Sequence, residues 1–105
     1  MTIEDVKDLQ KEFDIKMNGN NLILYHATAA RNAEQIINSQ FMFGKENGLF
    51  FSTKSDKQIQ GYGDTIIEVQ IPFQKLELDD QFSDELHFRM PCKPFVKYHI
   101  KARLF

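Results

Sequence analysis

The chain has 105 residues, a length that closes one hydrophobic core and predicts a single domain over 1–105. A formal net charge of -2 argues against broad electrostatic binding to phosphate backbones. The lone cysteine, Cys92, excludes an intrachain disulfide and a cysteine cluster that could hold zinc.

The chain begins with the pattern of a short amphipathic helix. Apolar residues recur at near-helical spacing at Ile3, Val6, Leu9 and Phe13. Thr2 is a candidate N-cap, and Asp5 three residues later completes an approximate capping box. Turn-forming residues at 18–21 then end this pattern.

An apolar strand follows over 22–25 and leads into His26. The residues from 29 to 39 have one apolar helical face, and Thr28 is a candidate cap for that helix. His26 is therefore predicted to lie where a strand passes into a helix.

The middle of the chain is predicted to alternate between loops and short helices or strands. We expect a loop over 41–48, a short apolar strand over 49–52 and a helical turn over 55–60. The clean alternation over 65–71 predicts a half-buried strand. The acidic stretch 74–83 is expected to form a bent surface connection.

Alternation resumes near the C-terminus. One side of the next strand carries Leu86, Phe88 and Met90, and the other side carries Glu85, His87 and Arg89. If the apolar side faces the core, Glu85 points into a cleft or into water. A final strand over 96–104 should have a basic outer face. Early helices followed by mostly antiparallel strands predict an α+β fold.

Four motifs in this order resemble the ADP-ribosyltransferase superfamily, in its diphtheria-toxin and poly(ADP-ribose) polymerase branch. They are Tyr25-His26-Ala27-Thr28, Gly48-Leu49-Phe50-Phe51-Ser52, Tyr62 and Glu85. The resemblance covers residues 22–105 and leaves the first helix and turn, 1–20, outside it. It implies a split β-sheet, made of two small antiparallel sheets with N-terminal helices, and NAD as the bound substrate.

The resemblance also implies roles for single residues. His26 would bind the adenosine ribose, and the backbone of Ala27 would hold the nicotinamide carboxamide. Phe50, where the family usually has tyrosine, and Tyr62 would sandwich the nicotinamide ring. Glu85 would grip a hydroxyl of the nicotinamide ribose, so that Glu85 and His26 form the catalytic pair. Two further NAD-binding residues would be Thr28 and Ser52.

The activity implied is transfer of a single ADP-ribose from NAD to a macromolecule, with protein a better candidate acceptor than nucleic acid. A toxin, a defence effector or a phage-borne modifier would suit this size. The alternatives are an NAD glycohydrolase and a non-catalytic module of the same fold that binds a nucleotide or a protein. An RNA 2′-phosphotransferase ranks lower, because only three arginines are present, Arg31, Arg89 and Arg103.

No metal site, membrane contact or extracellular location is expected. Histidines are not paired at metal-ligand spacing, and no apolar run is long enough to span a bilayer. Acidic residues interrupt the apolar pattern near the first residue, unlike a signal peptide. We therefore expect a cytoplasmic protein.

Overall fold

Two helices and nine strands make an α+β fold in the computed structural model, which describes residues 1–105. The helices are α1 (Ile3–Gln10) and α2 (Ala30–Ser39). The strands are β1 (Lys16–Asn18), β2 (Asn21–Thr28), β3 (Phe41–Phe43), β4 (Leu49–Ser52), β5 (Thr65–Pro72), β6 (Glu77–Gln81), β7 (Leu86–Met90), β8 (Lys97–His99) and β9 (Lys101–Leu104). Short 3₁₀ helices lie at Gln58–Tyr62 and Phe73–Lys75.

The strands form two antiparallel sheets of very different size. The larger sheet has seven strands in the order β6-β7-β4-β2-β5-β9, with β1 added beside β2. The smaller sheet is the pair β3-β8. The prediction of two antiparallel sheets and two helices is confirmed, but only one of the two sheets is small.

The long central strands β2 and β5 pair over their whole length, from Asn21↔Pro72 to Thr28↔Thr65. Their inward-facing residues are fully buried, as period-two alternation predicted for the strand over 65–71. The same holds in β7, where the apolar side faces the core. These buried residues are Ile67, Val69, Ile71, Leu86, Phe88 and Met90.

The two helix starts differ in how they are capped. At α1, Thr2 and Asp5 form the reciprocal capping box that the sequence predicts. At α2, the N-cap is Ala29, which offers no side-chain acceptor. The prediction of Thr28 as the cap is therefore wrong. Thr28 ends β2 instead, and its hydroxyl accepts a hydrogen bond from the Asn32 side chain at 2.7 Å.

Three predictions for the later part of the chain are also wrong. The expected loop over 41–48 contains β3, and the expected surface connection over 74–83 contains β6. The expected final strand over 96–104 is two strands in different sheets, β8 and β9. Neither helix combines the length and the apolar content that crossing a membrane requires.

The strand pairing of the large sheet is irregular at β4, and this irregularity opens the space for the candidate site. Strand β4 pairs with β7 at every position from Leu49↔Met90 to Ser52↔His87, yet it pairs with β2 only at Tyr25↔Ser52. Beyond that point β2 and β4 separate. The sheet therefore opens as a wedge between residues 26–28 and residues 49–51.

Candidate active site

A cavity of about 490 Å³ occupies the wedge between β2 and β4. Five of the residues predicted to hold NAD line it: His26, Ala27 and Thr28 from β2, Phe50 from β4, and Tyr62 from the 3₁₀ helix. They come from three separate segments of the chain. Their convergence on one cavity is a property of the fold and not of sequence proximity.

The His26 ring bridges the wedge. Its Nδ1 lies 2.9 Å from the carbonyl oxygen of Phe50, and the ring packs against Phe51 at 5.4 Å between centroids. A carbonyl only accepts hydrogen bonds, so Nδ1 carries the hydrogen and Nε2 is left as an acceptor when the ring is neutral.

Burial lowers the pKa of His26, and the nearby Lys45 charge lowers it further. The hydrogen bond to the Phe50 carbonyl acts in the opposite direction but is outweighed by burial. His26 is therefore neutral at physiological pH. A neutral ring with a free Nε2 is suited to accept a hydrogen bond from a ligand hydroxyl.

Two aromatic side chains that line the cavity are exposed to solvent. Phe50 is 42% exposed and Tyr62 is 76% exposed, whereas Phe51, which alternates with Phe50, is buried in the core at 2%. Gly63 explains the position of Tyr62, because a Cβ at residue 63 would lie 2.6 Å from backbone atoms of Thr28. Only glycine permits so close an approach of the two segments.

Ala27 occupies ordinary strand backbone. It pairs with Ile66 of β5, and its φ is not positive. The alanine at the position where the resembling family usually has glycine is therefore unstrained. No strand of the sheet covers the β4-facing side of β2 at this residue.

Glu85 does not line the cavity. It is 1% exposed and precedes β7, so the expectation that it points into a cleft or into water is wrong. Its Oε1 accepts from the Ser52 hydroxyl at 2.9 Å and contacts His87 Nε2 at 2.5 Å. Its Oε2 accepts from the backbone N–H of Gln58 at 3.2 Å.

These partners account for a buried carboxylate. Each partner can donate a hydrogen bond, so the acceptor oxygens of Glu85 are satisfied although they are removed from water. Ser52 is 0% exposed, so its hydroxyl serves Glu85 behind the cavity wall and does not face a ligand. Ser52 and Glu85 therefore lie behind the cavity wall, whereas the other residues predicted to bind NAD line the cavity.

His87 takes the place at the cavity wall that Glu85 was expected to fill. Its side chain is 14% exposed, it lies opposite Ser52 on the neighbouring strand, and its ring packs against Phe82 at 4.9 Å. Sequence alternation placed His87 and Glu85 on one strand side. It could not show that the imidazole would shield the carboxylate from the cavity.

A second cavity of about 610 Å³ lies on the other side of His26, against α2 and β3. The two cavities share His26, Lys45 and Leu49. Lys97, at the far side of this cavity, stands 5.8 Å from the ring centroids of Phe41 and of Phe43.

Lys45 is the functional candidate that sequence reasoning missed. It lies in a loop between β3 and β4, where nothing in the local pattern separates it from an ordinary surface lysine. Only the fold shows that it borders both cavities beside His26.

No group of three or more His, Cys, Asp or Glu side chains is arranged to hold a metal ion. Comparisons of the chain with protein-family models, with curated proteins and with solved structures find no match. The assignment of function therefore depends on the residues and geometry of the site.

Proposed function

We propose that the chain is a small NAD-dependent ADP-ribosyltransferase with an ADP-ribosyltransferase-like fold, which passes one ADP-ribose to a protein acceptor. The observation that carries the proposal is the wedge between β2 and β4. There, His26, Ala27, Thr28, Phe50 and Tyr62 surround a single cavity. The resemblance assigns these five residues to NAD, together with Ser52 and Glu85, which lie behind the cavity wall.

The two adjoining cavities together suit a ligand that has two parts, as NAD does. Cavities of about 490 and 610 Å³ fall within the usual range of small-molecule sites, and they meet at His26 and Lys45. In this arrangement the nicotinamide riboside takes the wedge. The adenosine part takes the cavity beside α2.

Each end of the ligand finds a matching group. Phe50 and Tyr62 offer aromatic faces to the flat nicotinamide ring at little entropic cost. His26 Nε2 accepts from a ribose hydroxyl, and Lys45 provides a positive charge between the cavities for the pyrophosphate.

Cleavage of the bond to nicotinamide develops positive charge on the ribose. A fixed carboxylate nearby stabilises that charge in the transition state more than in the ground state. Glu85 would act in this way from behind the wall, through the imidazole of His87, since that ring contacts Oε1. The low exposure of Glu85 strengthens its field at the cavity.

The position of Glu85 also favours a second candidate, a module of the same fold that binds a nucleotide without cleaving it. The carboxylate is 1% exposed and does not line the cavity. An NAD glycohydrolase is the third candidate, in which water is the acceptor.

One experiment separates these functions. Purified protein is mixed with NAD labelled in the adenylate phosphate, with and without a cell extract, and both nicotinamide and label are followed. A transferase releases nicotinamide and labels protein. A glycohydrolase releases nicotinamide and leaves free ADP-ribose. A binding module retains intact NAD and releases no nicotinamide.

A further inference from the structure

The His87 ring is held in one orientation at the wall of the NAD cavity. On one side Nε2 contacts Glu85 Oε1 at 2.5 Å, and on another the ring packs against Phe82 at 4.9 Å. A carboxylate only accepts, so Nε2 carries the hydrogen and Nδ1 has the lone pair in the neutral ring. A buried carboxylate in contact with an imidazole fixes the tautomer and the orientation of the ring.

We infer that His87 is the general base of the site, and that the acceptors it serves carry a hydroxyl group. This inference rests on the proposed function. The C1′–N bond of NAD breaks, and its electron pair goes to the nicotinamide nitrogen. The acceptor oxygen bonds to C1′, and its proton passes to His87 Nδ1. A carboxylate acceptor would have no proton to give up.

The negative charges near His87 favour an acceptor side chain that is itself uncharged and that lies in a basic segment of the acceptor protein. Asp80 lies opposite His87 on the exposed edge strand β6, and Asp79 joins it at the cavity. Neither aspartate is in an ion pair. Both would repel an acidic acceptor and attract a hydroxyl flanked by lysine or arginine.

Other groups also surround the imidazole. The titratable and polar groups around the cavity are Glu85 and Ser52 behind the ring, Asp79 and Asp80 from β6, and His26, Lys45 and Tyr62 across it. His26 differs from His87 in lacking a carboxylate partner, because its Nδ1 is bound to the Phe50 carbonyl.

The test uses the full chain, labelled NAD and two peptides. One peptide has a serine between arginines, and the other has glutamate in place of that serine. His87→Gln keeps an amide donor for Glu85 but cannot take a proton. His99→Gln is the matched control, because His99 is exposed and lines neither cavity.

We expect wild type and His99→Gln to modify the serine peptide and leave the glutamate peptide unmodified. His87→Gln should transfer ADP-ribose to the serine peptide at least about 100-fold more slowly, with unchanged NAD affinity. Added imidazole should restore part of the rate in His87→Ala.

Two results would overturn the inference alone, provided that wild type releases nicotinamide. One is an unchanged transfer rate in His87→Gln, and the other is equal modification of the glutamate peptide. Absence of nicotinamide release from wild type with every acceptor would instead overturn the proposed function, and the inference with it.

Discussion

Replacing Glu85 separates its structural role from the electrostatic role proposed for it. Glu85→Ala leaves the Ser52 hydroxyl without an acceptor in a place that water does not reach. An unsatisfied buried donor of this kind costs about 1–3 kcal/mol. The donors of His87 and Gln58 also lose their acceptor, but they are partly accessible to water, so each contributes a smaller loss of stability. We therefore expect the free energy of unfolding to fall by about 2–4 kcal/mol in total.

Glu85→Gln is the matched variant, since it keeps the volume and one acceptor oxygen while removing the charge. Its NH₂ group must face one of the three donors, so we expect a smaller loss, about 1–2 kcal/mol. Urea unfolding followed by far-ultraviolet circular dichroism measures both. At a slope of about 1.5 kcal/mol per M, the midpoint of Glu85→Ala should fall by roughly 1–3 M.

Nicotinamide release measures the second role. Glu85→Gln should release nicotinamide at least about 100-fold more slowly than wild type while binding NAD with the same affinity. If Glu85→Ala unfolded at the wild-type urea concentration, the structural reasoning would be refuted. A folded Glu85→Gln variant with the wild-type rate would refute the catalytic role.

Three further changes test the walls of the cavity. Gly63→Ala places a Cβ 2.6 Å from Thr28 backbone atoms and should cost about 1–3 kcal/mol in thermal unfolding, whereas Gly61→Ala, whose Cβ meets nothing within 4 Å, should not; equal effects would contradict the packing argument. Tyr62→Ala, at a side chain that is 76% exposed, should weaken NAD binding about 3- to 10-fold in a titration while the unfolding midpoint stays unchanged; an unaltered affinity would exclude Tyr62 from the ring clamp. Because burial lowers the pKa of His26, the unfolded chain takes up this proton before the folded chain does, so the contribution to stability is full above about pH 6.5 and declines as pH falls toward the lowered value. Urea unfolding at several pH values should show this decline in wild type and not in His26→Gln, and identical pH dependence in both would remove His26 as its source.

Regular alternation made much of the fold predictable. In β5 and β7 every second residue is apolar and the other side is polar or less buried, so one strand side had to face the core. The capping box of α1 was visible for a similar reason, since its two hydrogen bonds join residues three apart. Local periodicity and local hydrogen bonding suffice for such elements.

Elements that depend on distant partners were missed. All residues of β6 are exposed, so the strand has no buried side to reveal it, and it exists because β7 pairs with it. β3 has only three residues and needs β8 as its partner. The alternation of apolar and polar residues continues through Ile100, although the chain passes from the smaller sheet to the larger sheet at this residue. The backbone N–H of Ile100 donates a hydrogen bond to the Gln40 carbonyl.

The sequence grouped several residues that line one cavity, but it did not show which of the grouped residues lie behind the cavity wall. Motif order brought together His26, Phe50 and Tyr62, which do share a cavity. The burial of Glu85 could not be foreseen, because it depends on donors from two distant segments, Ser52 and Gln58, closing around the carboxylate together with the neighbouring His87. A polar residue on a strand side that faces away from the core is exposed by default, and only tertiary contacts reverse that default.

The most direct test of the central claim is an NAD titration of the ¹⁵N-labelled chain followed by amide and histidine ring chemical shifts. The account predicts shifts concentrated at residues 26–28, 48–51 and 58–63, together with a change at the His26 ring. Shifts confined to residues 1–20, or none at about 1 mM NAD, would contradict the claim that the wedge between β2 and β4 binds NAD.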